Sequence, residues 1–166
     1  MLWTVHSHSP QMTLQLGARL GEGLFRGAAI CLSGDLGAGK TLLTRGIVEG
    51  LRGDGSGVRS PSFTLINHYR GPIEVFHVDL YRLSDGEEVA RLGLEELFET
   101  SGVVVVEWAE KLGEMTPAES LKIRLRITGP LDREVTWEAF GRVHEALLTR
   151  VRQTWPPLQG REVRER

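Results

Sequence analysis

"GDLGAGKTLLTRG", residues 34–46, is the stretch on which the reading of this chain turns. Gly34, four further residues, and then Gly39-Lys40-Thr41 is the spacing of a phosphate-binding loop. Its flanks agree with that reading: the apolar run "AAICLS" before it reads as a buried strand, and Lys40 to about Leu51 reads as a helix. Glycines at 34, 37 and 39 let the backbone turn its N–H groups inward on a phosphate chain, and the helix N-terminus adds partial positive charge. The expected nucleotide-binding set is therefore Gly34, Asp35, Leu36, Gly37, Ala38, Gly39, Lys40 and Thr41, with the Lys40 ammonium on the β and γ phosphates and the Thr41 hydroxyl on Mg²⁺. A bare glycine-rich turn with an exposed lysine is the bland alternative, and the strand and helix on either side count against it.

The choice of nucleotide rests on an absence. Asn67 is the only asparagine, and nothing around it matches the Asn-Lys-x-Asp signature of guanine-specific switches, so ATP is the expected ligand. A phosphate-loop enzyme also needs an acid at the end of a neighbouring strand, for the metal shell or the attacking water. Asp79 ends "VFHVD" and Glu107 ends "VVVVE", each where a parallel strand would deliver it to the C-terminal edge beside the loop. His77 shares a strand face with Asp79 and is expected to be packed or hydrogen-bonded rather than catalytic. Trp108 is expected in the core or pocket wall, where it would serve as a fluorescent reporter of nucleotide, and Arg45, Arg59 and Arg82 are candidates for phosphate or partner contacts.

At 166 residues the chain suits one domain, expected over 1–152, with the charged, proline-containing segment 153–166 expected to be a flexible tail. A hydrophobic fraction of 40%, a charged fraction of 25% and a net charge of -2 give no basic excess of the kind that marks a nucleic-acid binder. The single cysteine, Cys31, permits no intramolecular disulfide and reads as a buried thiol in a reducing compartment. No signal peptide or membrane-length apolar run is seen, so the expected location is cytoplasmic.

Strand and helix signals alternate through the first two thirds, which favours an α/β fold. A short strand is expected near Leu2 to Val5, then a helix opened by Ser9 and Pro10 with Met12, Leu16, Leu20 and Leu24 at four-residue spacing. "LRGDGSGVRSPSF" is a polar connection, and "TLINHY" and "IEVFHVDLY" read as strands around the turn "RGP". Ser84 with Glu87 has capping-box spacing at the head of a helical stretch that Gly93 interrupts. "GVVVVEW" is the strongest strand signal, followed by strands near Leu121 to Thr128 and Glu134 to Ala139 around "GPLD", and a last helix from about Gly141 to Arg152. The expected architecture is a three-layer α/β domain of the phosphate-loop class, its sheet mostly parallel with antiparallel C-terminal strands.

Taken in order, "LSGDLGAGKT", "SPSFTLINHY", "HVDLYRL" and "VEWAEK" resemble the TsaE (YjeE) family, the ATPase subunit of the bacterial machinery that makes threonylcarbamoyladenosine in tRNA. The resemblance runs from about Gly17 to Leu112, and the C-terminal third matches only as a strand-and-helix pattern. It implies an ATPase with ATP and Mg²⁺ as ligands that drives or resets a partner assembly, a threonylcarbamoyltransferase subunit and its paralogous scaffold (TsaD and TsaB types). Contact with tRNA would run through those partners. By position it makes Lys40 the phosphate-loop lysine, Thr41 and Glu107 the Mg²⁺ ligands, and Asp79 the acid implicated in hydrolysis. It also makes Ser60, Pro61, Ser62 and Thr64 part of a switch-like loop. Ser62 stands where the family usually has threonine, and Leu42 where it often has a second threonine.

On this reading MgATP hydrolysis is slow in the isolated subunit and rises with partners, because no arginine finger is assignable. Rival readings share parts of this pattern. A small-molecule or nucleoside kinase would use the same loop, with "DLYRLS" as a substrate loop, but would need an acceptor pocket and a basic lid. A nucleotide-gated binding module would need affinity without turnover. A transporter ATPase, suggested by "LSDGEEVARL" before "VVVVE", lacks the helical subdomain that would separate loop from signature, since only Leu42 to Arg82 intervene.

Overall fold

The computed structural model describes residues 1–84 and 86–155. Its strands are β1 (Leu2–Ser7), β2 (Ala29–Ser33), β3 (Ile66–Tyr69), β4 (Val75–Asp79), β5 (Val103–Glu107), β6 (Ser120–Ile127) and β7 (Arg133–Phe140). The helices are α1 (Pro10–Gly23), α2 (Lys40–Gly50), α3 (Gly86–Ala90), α4 (Leu94–Phe98) and α5 (Arg142–Thr154), with 3-10 segments at Gly55–Gly57 and Ala109–Met115. All seven strands form one sheet in the order β1-β7-β6-β2-β5-β4-β3. Parallel ladders join β6 to β2, β2 to β5 and β5 to β4, and antiparallel ladders add β7 and β1 on one side and β3 on the other.

Local sequence explains the central strands. Every residue of β5 is buried, as "VVVVE" requires, because β-branched side chains tolerate a pleated strand covered on both faces. Alternation along β2 then splits the core in two. Ile30 and Leu32 face Leu16 and Leu20 of α1, Leu43 and Ile47 of α2, and Leu148 of α5. Cys31 faces the other way, into a second cluster with Val104 and Val106 of β5, Val89 of α3 and Leu94 of α4. The result is three layers, thick on the α1–α2–α5 side and thin on the other. Each fully buried leucine or isoleucine contributes about 2 kcal/mol through apolar area removed from water.

Helices α1 and α2 approach at backbone distance through Gly17 and Gly21 on one and Gly46 and Gly50 on the other. A Cβ on Gly17 would lie 2.2 Å from the Leu43 carbonyl oxygen, and one on Gly50 would lie 2.1 Å from that of Ala18. The helix that carries the phosphate loop is therefore seated by a glycine contact, which four-residue leucine spacing did not reveal. The entry to α1 is as expected: Ser9 caps it and its Oγ accepts from the Met12 N–H at 3.1 Å.

Three features depart from the sequence reading. The partner of Ser84 is Glu88, whose Oε2 accepts from the Ser84 N–H at 2.7 Å and hydroxyl at 3.0 Å; Glu87, placed there by capping-box spacing, turns outward to Arg91 at 3.6 Å. The N-terminal strand extends to Ser7 because it pairs antiparallel with β7 along its whole length, a tertiary partner that local pattern does not show. After Trp108 the chain forms a 3-10 segment, Ala109–Met115, that helps cover β4 and β5. Gly93 does divide the helical stretch, at φ 68 between α3 and α4. The expected tail lies, from 156 onward, outside the described residues. Among the described residues no helix is long and apolar enough to cross a membrane.

Burial pushes the Cys31 thiol up from 9.0 to about 11, against the opposing charge of Lys122 and a hydrogen bond from Ser120. The folded chain thus holds this proton where the unfolded chain has released it, so the contribution is fully present below pH 9 and lost as pH rises toward about 11. Denaturant titrations across that window are expected to show a fall in stability that is shallower in Cys31→Ala; an unchanged slope in the variant would remove Cys31 as the cause.

Candidate nucleotide site

From Ser33 the chain leaves the sheet and turns through Gly34, Gly37 and Gly39 at φ 139, 79 and 106, the left-handed region that side chains disfavour. At Gly34 sterics add to this, because a Cβ there would lie 2.3 Å from the Leu125 carbonyl oxygen on β6. Gly39 caps α2 with no side-chain hydrogen bond, which leaves the first-turn amides of that eleven-residue helix without a side-chain acceptor. Arg133, from the start of β7, grips the loop from behind, its Nε donating to the Ala38 carbonyl at 3.0 Å and Nη2 to that of Gly37 at 3.2 Å. Leu36 stands at the loop's tip, 69% exposed.

Lys40 is buried at the loop's end. Its Nζ donates to the carbonyls of Gly34 and Asp35 and lies 4.2 Å above the Trp108 ring. Burial pushes its pKa below the usual lysine value, and the charges of Glu107, Glu110, Asp79 and Asp35 act against that shift. Trp108, at φ 58, leaves the strand in a left-handed conformation that aims its ring under the ammonium and against Tyr81, 5.0 Å away.

Opposite the loop, the parallel register of β4 and β5 sets Asp79 directly beside Glu107. Both carboxylates are buried, 2% and 3% exposed. Asp79 accepts from the Ser60 hydroxyl at 2.6 Å and the Tyr81 N–H at 2.8 Å. Glu107 Oε1 accepts from the Thr41 hydroxyl at 2.8 Å and from His77 Nε2 at 2.7 Å. Two neighbouring buried acids held mainly by neutral donors make a place where a cation is strongly favoured.

That donor set could hold Mg²⁺. Thr41 and Glu107 supply two hard oxygens already brought together, and Mg²⁺ prefers such a partial protein site, completing its shell with water and phosphate oxygens. Among the described residues no group of three or more His, Cys, Asp or Glu is placed to hold a metal ion. The space between loop and acids is a pocket of about 280 Å³ lined by Lys40, Thr41, Ser60, Asp79, Tyr81 and Glu107 among others.

The segment expected as a switch meets the site unevenly. Ser60 and Ser62 line the pocket, their hydroxyls 3.1 Å apart. Pro61 lends its carbonyl to the Leu65 N–H at 2.6 Å, closing a turn in which Leu65 sits at φ 65 and in turn accepts from the Asp79 N–H at 3.0 Å. Thr64 is directed to Asn67 Oδ1 at 2.9 Å instead of the pocket. Of the arginine candidates, Arg45 pairs with Glu49 at 3.0 Å and Arg82 lies on the exposed ring of Phe63 at 3.8 Å. Arg133, which does reach the loop, was missed because it is distant in sequence and sits in a segment with no motif. His77 was expected to be hydrogen-bonded, but nothing local identified its partners.

A glycine loop between a buried parallel strand and a helix, closing on a buried lysine and faced by strand-end acids, defines a nucleotide-binding protein of the phosphate-loop class. Comparison with known proteins narrows the class. The family model described as "Threonylcarbamoyl adenosine biosynthesis protein TsaE" matches residues 7–135, and the chain belongs to that family. It is 44% identical over 122 residues to the tRNA threonylcarbamoyladenosine biosynthesis protein TsaE of Bacillus subtilis, covering 73% of this chain and 75% of that one. To the protein of the same name from Treponema pallidum it is 36% identical over 130 residues, covering 78% and 96%. The crystal structure of YdiB from Bacillus subtilis superposes with a TM-score of 0.77 at 32% identity, covering 92% of this chain and 95% of that one.

Proposed function

We propose that this chain is a MgATP hydrolase that serves threonylcarbamoyladenosine formation in tRNA, acting on the partner assembly rather than on tRNA itself. The observation that carries the reading is the register of Asp79 and Glu107, which sets two buried acids across a pocket from the loop, one already bonded to Thr41. Lys40 would exchange its two loop carbonyls for the β and γ phosphate oxygens, an easy step because those bonds are made within the loop. The loop and first-turn amides would hold the phosphates in place, and Thr41 with Glu107 would hold Mg²⁺. Bound there, Mg²⁺ supplies charge neutralisation on the phosphates. Asp79, freed from Ser60 or acting alongside it, would orient the attacking water and accept its proton.

The single-domain reading over 1–152, the cytoplasmic location and the partners of TsaD and TsaB type belong to this proposal. Slow turnover of the isolated chain is expected because, among the described residues, no arginine lines the pocket, and Arg133 is committed to loop carbonyls. The test is steady-state ATP hydrolysis by the purified protein, alone and with both partners. Stimulation of about tenfold or more by the pair is expected. A rate indifferent to them, or a response to a small hydroxyl acceptor instead, would overturn the assignment.

A further inference from the structure

Behind the two acids a chain of side chains runs from the site into the 59–65 loop. Glu107 Oε1 accepts from His77 Nε2 at 2.7 Å, and the other ring nitrogen of His77 faces the Tyr69 hydroxyl at 3.3 Å. That hydroxyl has one proton to give, shared between the Arg59 carbonyl at 3.1 Å and His77 Nδ1, and it accepts from the Arg59 N–H and from Asn67 Nδ2 at 3.3 Å each, while Asn67 Nδ2 also reaches the Arg59 carbonyl at 3.3 Å. Arg59 immediately precedes Ser60, whose hydroxyl holds Asp79. His77 has no exposed surface, so its two nitrogens have no solvent to turn to.

We propose that His77 and Tyr69 are positioning residues that couple occupancy of the metal site to the placement of the 59–65 loop. The argument rests on the reading of Glu107 as a Mg²⁺ ligand. Glu107 Oε1 is shared by Thr41 and His77, so a cation drawing on that oxygen and on the Thr41 hydroxyl changes the bond that fixes the imidazole. Among the described residues the hydrogen-bond partner of the other ring nitrogen is Tyr69, whose hydroxyl is bonded to the backbone at the start of the loop. The loop is short and closes on itself at Pro61 and Leu65, so moving Arg59 moves Ser60 against Asp79. By reciprocity, a loop held in place strengthens the metal site by the same factor that the metal holds the loop.

The experiment is hydrogen–deuterium exchange on the full chain with a non-hydrolysable ATP analogue, with and without Mg²⁺, alongside a Mg²⁺ titration of the analogue-bound protein. In the parent protein Mg²⁺ is expected to slow exchange of the 59–65 amides about tenfold. Tyr69→Phe keeps the ring and removes only the hydroxyl, and His77→Gln retains an N–H toward Glu107 while losing the link to Tyr69. Both are expected to reduce the Mg²⁺-dependent slowing to less than about twofold, with Mg²⁺ midpoints shifted only by the lost coupling. His77→Leu, which removes both bonds, is expected to raise the midpoint further, by about tenfold. Parent-like slowing in Tyr69→Phe and His77→Gln, with the Mg²⁺ effect abolished in Glu107→Gln, would overturn the coupling and leave the metal site standing. A parent protein whose exchange and analogue binding ignore Mg²⁺ would overturn both.

Discussion

Asp79→Asn is expected to lower partner-stimulated ATP hydrolysis by about 10² to 10³-fold while changing nucleotide affinity by less than about threefold, the range seen when a group acting only in the transition state is removed. The geometry makes the variant informative. An asparagine keeps an oxygen for the Tyr81 N–H, and its amide nitrogen can face the Ser60 oxygen, so the local bonds survive with one reversed. What is lost is a negative charge and a proton acceptor beside the pocket. Lys40→Ala should behave differently, losing binding as well as turnover, because the ammonium is the loop's one buried cation. Single-turnover hydrolysis with a parallel binding titration separates the two. An Asp79→Asn protein that hydrolyses within tenfold of the parent would move the role of base or water-orienting group elsewhere.

Gly46→Ala is expected to destabilise the fold by about 3 kcal/mol, lowering the melting temperature by roughly 10 °C for a domain of this size. The added Cβ would lie 2.1 Å from the Leu14 carbonyl oxygen, 2.9 Å from the Ala18 nitrogen and 3.0 Å from the Gly17 Cα. All three are backbone atoms of α1, so no side chain can swing away and the helices must part. Alanine's better helix propensity returns about 1 kcal/mol, which does not offset the separation of two packed helices. Gly86→Ala is the control: among the described residues a Cβ there meets nothing within 4 Å, and its melting temperature is expected to stay within about 2 °C. Equal melting temperatures for the two variants would show that α1 and α2 can move apart at little cost.

How much of this was legible depended on the range of the interaction. The loop from Gly34 to Thr41 could be read directly because a phosphate cradle is built from consecutive backbone groups, and the glycines that such a turn needs at positive φ lie within eight consecutive residues. Asp79 and Glu107 could be read because each ends a β-rich run, and strand ends in a parallel sheet share an edge. Even the division at Gly93 is local, since one left-handed residue stops a helix. The capping-box spacing failed at Glu87 because the carboxylate that meets Ser84 comes from Glu88, one residue further along α3, while Glu87 faces Arg91.

Sequence by itself determined the α/β class, the nucleotide loop and the two acids, because each is encoded within a dozen residues by glycine placement, hydrophobic period or strand-end position. Only the tertiary structure decided the strand order, the pairing of β1 with β7, the glycine seat of α2 on α1 and the reach of Arg133 to the loop. It also joined Glu107 through His77 and Tyr69 to Arg59. These contacts join residues from separate elements, and their partners are chosen by which faces the sheet and helices bring together, a choice that no local pattern of side chains records.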